Sequence, residues 1–165
     1  MRDTSTPELV NTAQDAIILC LLAAAAVDGT PHNSEIILIE AIASTTPALA
    51  QDSSEDYARM MEIGLALLAG PEGLESLFSL ATRQLSPRER ATCFALVVEF
   101  VVRNGQISPE EMRYLDLLAD HFRLDRLSRA AIEHAARIRL DPLDDPLDDP
   151  LDDPLSNPLS NVSTR

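Results

Sequence analysis

The sequence predicts an all-α protein, a single seven-helix bundle with an internal duplication, followed by a disordered C-terminal tail. Apolar residues recur at three- and four-residue spacings over most of residues 1–140, and no stretch alternates apolar with polar residues as a strand does. A helix-turn-helix segment occurs twice in this region, with an offset of 76 residues between the copies. Residues 141–165 instead carry a proline-rich acidic repeat. We therefore divide the chain into a helical domain over 1–140 and a tail over 141–165.

Local signals set the predicted helix boundaries. Thr6 is a typical cap and Pro7 a typical first helical residue, so the first helix is predicted from there to about Val27. Ser86 and Ser108 each stand three residues before a Glu, which is the capping-box pattern at the start of the fifth and sixth helices. Four predicted helices cover about 7–27, 33–44, 72–84 and 127–139. The third lies between Ser54 and Gly70, the fifth starts after Ser86 and stops at Asn104-Gly105, and the sixth starts after Ser108 and includes Phe122.

The apolar spacing also predicts which side of each helix faces the core. The run from Ala16 to Val27 has 12 residues, against about 20 for a membrane span, so we expect a buried helix. Cys20 and Cys93 lie within apolar stretches, which predicts small buried residues in a reducing compartment. On the last two helices the residues predicted to face inward are Met112, Leu115, Leu118, Ala119, Phe122, Leu127, Ala131, His134 and Ile138.

The charge balance limits the class of partner. The net charge is −14, of which −6 belongs to residues 141–165 and −8 to residues 1–140. A nucleic-acid partner requires a basic face, so we expect none. The chain does not open on a basic segment followed by an apolar stretch and a cleavage site, so a secretory signal is not supported. The expected compartment is the cytoplasm, with no transmembrane segment.

The tail repeats Pro-Leu-Asp-Asp every four residues and then changes to Pro-Leu-Ser-Asn. Proline at this density excludes an α-helix, and a four-residue period makes no stripe on a polyproline helix, so we expect disorder. Three interpretations remain open: an inert acidic tail, a multivalent motif that offers Leu between acids to a partner, and weak divalent-cation binding by Asp pairs. Arginines near the seventh helix could attract the tail, through contacts that solvent screens. These arginines are Arg123, Arg126, Arg129, Arg137 and Arg139.

The duplicated segment contains a polar corner in each copy, over residues 27–36 and 103–112. Asp28 and Glu35 belong to the first corner, and Asn104 and Glu111 to the second. If the two corners come together, these oxygen ligands favour Ca²⁺ or Mg²⁺ over Zn²⁺. The structural alternative is that each Glu caps its helix, each Asx residue closes a turn, and the following glycine ends the preceding helix.

Other polar residues have ordinary structural interpretations. Glu99 lies in an apolar helix, either as a functional carboxylate with a raised pKa or, as we expect, in an i,i+4 ion pair with Arg103. His134 is predicted to be a satisfied interior residue. The chain has no Gly-rich phosphate loop, no His-Glu-x-x-His motif and no nucleophile elbow, so we expect no enzyme.

The corners resemble those of the TerB family of tellurite-resistance proteins. The resemblance rests on Ala26-Val27-Asp28-Gly29 with Glu35, echoed by Asn104-Gly105 with Glu111, and it spans about residues 8–140. It implies an all-α bundle related to the N-terminal domain of the DjlA co-chaperones, with acidic residues that have been proposed to bind divalent metal. It also implies a role in tellurite, phage or envelope stress. The chain departs from the family at Asn104, where the family prefers Asp, and at the cap Pro31-His32-Asn33.

Together, these observations predict a non-enzymatic TerB-like stress-response module. We expect it to bind protein partners, including membrane-associated stress-response proteins, and a divalent cation at Asp28, Glu35, Asn104 and Glu111. One alternative is an enzyme or an enzyme accessory subunit with an acidic site around the three carboxylates of this set. The other is a structural adaptor that binds through its acidic tail.

Overall fold

In the computed structural model, the described residues are 10, 12–49, 54–105 and 107–141, without the side chains of 54–56. They form seven α-helices and contain no strand. The helices are α1 (Ala13–Ala26), α2 (Asn33–Thr45), α3 (Ser54–Leu68), α4 (Gly73–Gln84), α5 (Pro87–Arg103), α6 (Pro109–Phe122) and α7 (Arg126–Leu140). The all-α, seven-helix prediction is confirmed, whereas the predicted disorder of the tail concerns residues outside the described ones.

The helices form two units of three, and the first two helices of each unit repeat with an offset of about 76 residues. Unit 1 consists of α1, α2 and α3, and unit 2 consists of α5, α6 and α7. In each unit the first helix packs against the second and the third, and α1 also packs against α5. α4 contacts α1, α3 and α6, and thus lies between the units. The packing pattern therefore recurs over three helices, the third of which is shifted by four residues relative to the offset.

α1 is buried on all sides. Every residue from Asp15 to Ala25 is buried, and all of them except Asp15 are apolar. A helix with no polar face belongs in the interior of a bundle, and here α2, α3, α4 and α5 cover it. None of the helices in the described ranges is long and apolar enough to span a membrane.

α1 begins later than predicted. Thr12 has an extended backbone and caps the helix: its Oγ1 accepts a hydrogen bond from the Asp15 amide at 3.0 Å, and Asp15 Oδ2 accepts one from the Thr12 amide at 3.1 Å. This two-way capping box starts α1 at Ala13, so the prediction of one continuous helix from Pro7 to Val27 is wrong at Thr12. The predicted cap at Thr6 lies outside the described residues.

The face of α7 that packs against the bundle is opposite to the face that was predicted to do so. Leu127 is 80% exposed and Ile138 62% exposed, and Ala131 and His134 between them are exposed as well. The prediction that these four residues face inward is wrong. Met112 on α6, also predicted inward, is 52% exposed.

The reason lies in the contacts of the opposite face of α7. Ala136 is buried there, and Arg129 and Glu133 are partly buried. Arg129 binds Asp116 of α6 and donates from Nε to Glu133 Oε1 at 2.8 Å. Ion pairs therefore take part in holding α7 to its unit, and hydrophobic periodicity alone does not predict such an interface.

Candidate functional site

The two corners have matching backbone geometry. φ is +152° at Gly29 and +111° at Gly105, values that L-residues rarely adopt. The Gly29 amide donates to the Ala26 carbonyl at 3.3 Å, and the Gly105 amide donates to the Val102 carbonyl at 3.4 Å. In the described part of the chain, nothing lies within 4 Å of a Cβ built at either glycine. Backbone conformation, and not lack of space, is therefore what favours glycine at both corners.

The Glu of each corner caps the helix that follows it. In the second corner, Glu111 Oε2 accepts from the Ser108 amide at 2.7 Å and Ser108 Oγ accepts from the Glu111 amide at 3.1 Å. In the first corner, Glu35 Oε2 accepts from the His32 amide at 2.7 Å and lies 3.3 Å from His32 Nδ1. The capping box predicted at Ser108 is confirmed. In the first corner the Glu35 amide donates to the His32 backbone carbonyl at 3.0 Å, and no cap hydrogen bond to the His32 side chain is found, so only the carboxylate half of the pattern is present.

One hydrogen bond joins the two corners. Asn104 Nδ2 donates to Glu35 Oε1 at 3.0 Å. The offset relates this pair to Glu111 and Asp28, for which no hydrogen bond or ion pair is found among the described residues. An amide can donate to a carboxylate, whereas two ionised carboxylates repel each other. Asn104 can therefore form a hydrogen bond with Glu35, whereas the equivalent pair, Asp28 and Glu111, consists of two acids that cannot form one when both are ionised.

Of the four residues predicted to bind a cation, Glu35 and Asn104 are joined by a hydrogen bond in the described part of the chain. Within the described ranges, no three His, Cys, Asp or Glu side chains lie close enough together to hold a metal ion. Glu35 already accepts hydrogen bonds on both oxygens, and Glu111 Oε2 caps α6. This arrangement does not fit a divalent cation without rearrangement of the caps, and the cation site stays a prediction.

Each unit has a groove between its three helices. The lining residues of groove 1, in unit 1, are Ile18, Leu22, Ile36, Ile39, Glu40, Tyr57, Ala58 and Met61, around a volume of about 100 Å³. Those of groove 2, in unit 2, are Val98, Val102, Ile107, Met112, Leu115, Asp116, Arg129, Glu133 and Arg137, around about 130 Å³. The 76-residue offset pairs Leu22 with Val98, Ile36 with Met112, Ile39 with Leu115, Glu40 with Asp116, Tyr57 with Glu133, and Met61 with Arg137. The two grooves therefore lie at equivalent places in the two units.

The third helix of each unit makes the two grooves different. Tyr57 and Met61 of α3 line groove 1, and their equivalents on α7 are Glu133 and Arg137. In groove 2 the hydrogen bonds of Arg129 with Asp116 and Glu133 raise the pKa of Arg129. Groove 2 is therefore edged by ion pairs. Groove 1 has an apolar wall with a single acid, Glu40.

Glu99 forms the ion pair that its spacing predicts. Arg103 Nη2 lies 2.7 Å from Glu99 Oε1, and Arg139 of α7 binds the other carboxylate oxygen. The contact with Arg139 links α5 to the end of α7, and the sequence spacing gave no sign of it. The two contacts explain how a carboxylate fits into an otherwise apolar helix.

The two cysteines are buried, as predicted, on α1 and α5. Both are buried, and Tyr114 Oη donates to the Cys20 carbonyl at 2.8 Å. Burial raises the pKa of the Cys93 thiol and of the Tyr114 hydroxyl well above their ordinary values. At neutral pH the Cys93 thiol is therefore protonated and a poor nucleophile.

Sequence reasoning missed the grooves and the outward face of α7. The signal for the grooves was present, because the offset that relates the corners also aligns α3 with α7. The correspondence between the grooves is hard to recognise in the sequence because apolar Tyr57 and Met61 correspond to charged Glu133 and Arg137. In comparisons with known proteins, no family model, curated protein or solved structure matches this chain. The TerB resemblance therefore stays a prediction that rests on the corners.

Proposed function

We propose that this chain is a non-enzymatic, TerB-like stress-response module that holds a protein partner by an apolar side chain bound in groove 1. The observation that carries the proposal is the difference between two equivalent grooves, one apolar and one edged by ion pairs. Groove 1 encloses about 100 Å³. For comparison, an apolar cavity of about 150 Å³ accommodates benzene, so groove 1 suits one small aliphatic group. The stress-response part of this proposal is supported only by the resemblance of the two corners to those of the TerB family.

The non-enzymatic part of the proposal is supported by the surroundings of the candidate nucleophiles. Cys93 is buried with a raised pKa. His32 contacts Glu35, and His121 lies 3.3 Å from Glu75 and stacks on Phe78. Among the described residues, no hydrogen bond pairs a histidine with a cysteine or a serine. A base within hydrogen-bond reach is one of the usual means by which an enzyme activates a nucleophile.

A leucine derivative tests the binding of an apolar side chain. N-acetyl-leucine methylamide is titrated into the full chain while methyl resonances are followed by NMR. We expect saturable shifts at Ile18, Ile36 and Ile39 in groove 1. Ile107 and Leu115 in groove 2 serve as the internal reference and should not shift.

The equivalence of the grooves supplies matched variants. Tyr57→Glu with Met61→Arg brings the groove 2 side chains into groove 1 and should abolish the shifts. Glu133→Tyr with Arg137→Met makes the reverse exchange and should create them in groove 2. Equal shifts in both grooves of the native chain, or none in either, would contradict the proposal. Far-UV circular dichroism establishes that each variant is folded.

A further inference from the structure

α7 presents to solvent a stripe of three apolar residues and one histidine. Leu127, Ala131, His134 and Ile138 follow one another at spacings of four, three and four residues, which places them on one face of a helix. All four are exposed, Leu127 to 80% and Ile138 to 62%. At 1.5 Å per residue the stripe is about 16 Å long. Exposed apolar surface arranged in this way is typical of a docking site.

Arginines flank this stripe. On a helical wheel at 100° per residue, Arg126 and Arg137 lie on one side of it and Arg139 on the other. Arg139 binds Glu99, but within the described ranges neither Arg126 nor Arg137 has an ion-pair partner. Glu133, the only acid in α7, is held by Arg129 on the face toward the bundle. The outward half of α7 is therefore apolar at its centre and cationic at its edges.

This charge pattern argues against a second copy as the occupant. Two α7 helices that pack around a twofold axis place the arginine edge of one beside the arginine edge of the other. Like charges at such short range oppose association. The surface instead suits a segment that combines aliphatic side chains with acids.

The chain itself contains such a segment. From Leu143 to Asp153, each Leu is followed by two Asp, and the segment begins two residues after Asp141, the last described residue of the α7 region. In an extended polyproline conformation these residues span about 31 Å, twice the length of the stripe. The segment can therefore reverse direction and lie along α7. A tether this short maintains a local concentration in the millimolar range.

The geometry points to the acidic leucine repeat of residues 143–153 as the occupant of the outward face of α7. Leucine side chains contact the stripe between Leu127 and Ile138, and the aspartates lie beside Arg126 and Arg137. The contact is intramolecular and independent of groove 1. It makes the repeat a covering segment that any partner for α7 has to displace.

Paramagnetic NMR on the full chain tests this contact. A nitroxide is attached at Ser156→Cys, since Cys20 and Cys93 are buried. We expect broadening of the amide signals of Leu127, Ala131 and Ile138 relative to a diamagnetic label. The broadening should weaken as the ionic strength rises from about 0.01 M to about 1 M, where the screening length falls from about 30 Å to about 3 Å.

Two sets of variants separate the contact from general attraction. Leu127→Ser with Ile138→Ser should abolish the broadening, whereas Ile37→Ser, at a 64% exposed site on α2, should leave it unchanged. Leu143→Ser, Leu147→Ser and Leu151→Ser together keep every charge and should also abolish it. Broadening that survives these leucine changes, or that is absent from α7, would overturn the inference. So would α7 shifts that depend on protein concentration and not on the repeat, because a second copy would then be the occupant.

Discussion

Units 1 and 2 share a backbone plan but hold their third helices differently. In unit 1, Tyr57 and Met61 of α3 line an apolar groove. In unit 2, Glu133 and Arg137 occupy the equivalent positions, and Arg129 ties α7 to α6 through Asp116. The comparison shows that the corner and the first two helices define the repeat, whereas the third helix tolerates a change from apolar to ionic contacts. The two grooves can therefore have different partners.

The two corners also share a backbone plan but differ in their side-chain contacts. Ser108 and Glu111 form a two-way capping box, but His32 and Glu35 form only half of one. The first corner gains instead the hydrogen bond from Asn104. The Ser108 hydroxyl cap thus belongs to the second corner alone, whereas the bond between Asn104 and Glu35 joins the two corners. Substitutions at equivalent positions should therefore have unequal effects.

The largest expected effect is at Asn104. Asn104→Asp removes the donor to the buried Glu35 carboxylate and places a second acid beside it. A buried acceptor left unsatisfied costs about 1–3 kcal/mol, so we expect a loss of this order in the free energy of unfolding. Urea denaturation with EDTA measures it. Ca²⁺ should restore part of the loss if the two acids form a cation site.

The equivalent substitution in the first corner is the control. Asp28→Asn supplies an amide at the position equivalent to Asn104 and removes an acid, so stability should not fall. Asn104→Ala separates loss of the donor from repulsion and should cost less than Asn104→Asp. If Asn104→Asp and Asp28→Asn have equal effects, the bridge between the corners does not contribute to stability.

A smaller effect is expected at the caps. Ser108→Ala removes the hydroxyl that accepts from the Glu111 amide and should cost about 1 kcal/mol. His32→Ala removes no cap hydroxyl and should cost less. His32→Ser completes the capping box of α2 and should raise the midpoint of thermal unfolding. An unchanged midpoint for His32→Ser would show that the first corner cannot use a hydroxyl.

The smallest effect on stability is expected at Asp116 of α6 in groove 2 and at its equivalent in groove 1, Glu40 of α2. Asp116→Asn breaks the ion pair with Arg129 and should cost about 0.2–1 kcal/mol, because exposed ion pairs contribute little. Glu40→Gln, the equivalent change in unit 1, should have no effect, since Glu40 has no ion-pair partner among the described residues. Thermal unfolding at low and high salt measures both. A loss for Asp116→Asn that does not shrink at high salt would contradict an electrostatic origin.

The sequence predicted those features that depend on neighbouring residues. Helix boundaries followed from caps such as Ser86 and Ser108, and the Glu99–Arg103 pair followed from its spacing of four. Features that depend on distant residues were not accessible in this way. The Asn104–Glu35 bond joins residues 69 apart. The orientation of α7 was predicted wrongly because ion pairs to α6 compete with hydrophobic periodicity.

The complete burial of α1 has a consequence for synthesis of the chain. α1 ends at Ala26 and α5, which covers part of it, begins at Pro87, about 60 residues later. At roughly 5–20 residues per second, the ribosome takes several seconds to supply that cover. During this interval an apolar surface of α1 is available for aggregation or chaperone binding. Synthesis of the residues between α1 and α5 is therefore the stage at which this protein is most exposed to aggregation.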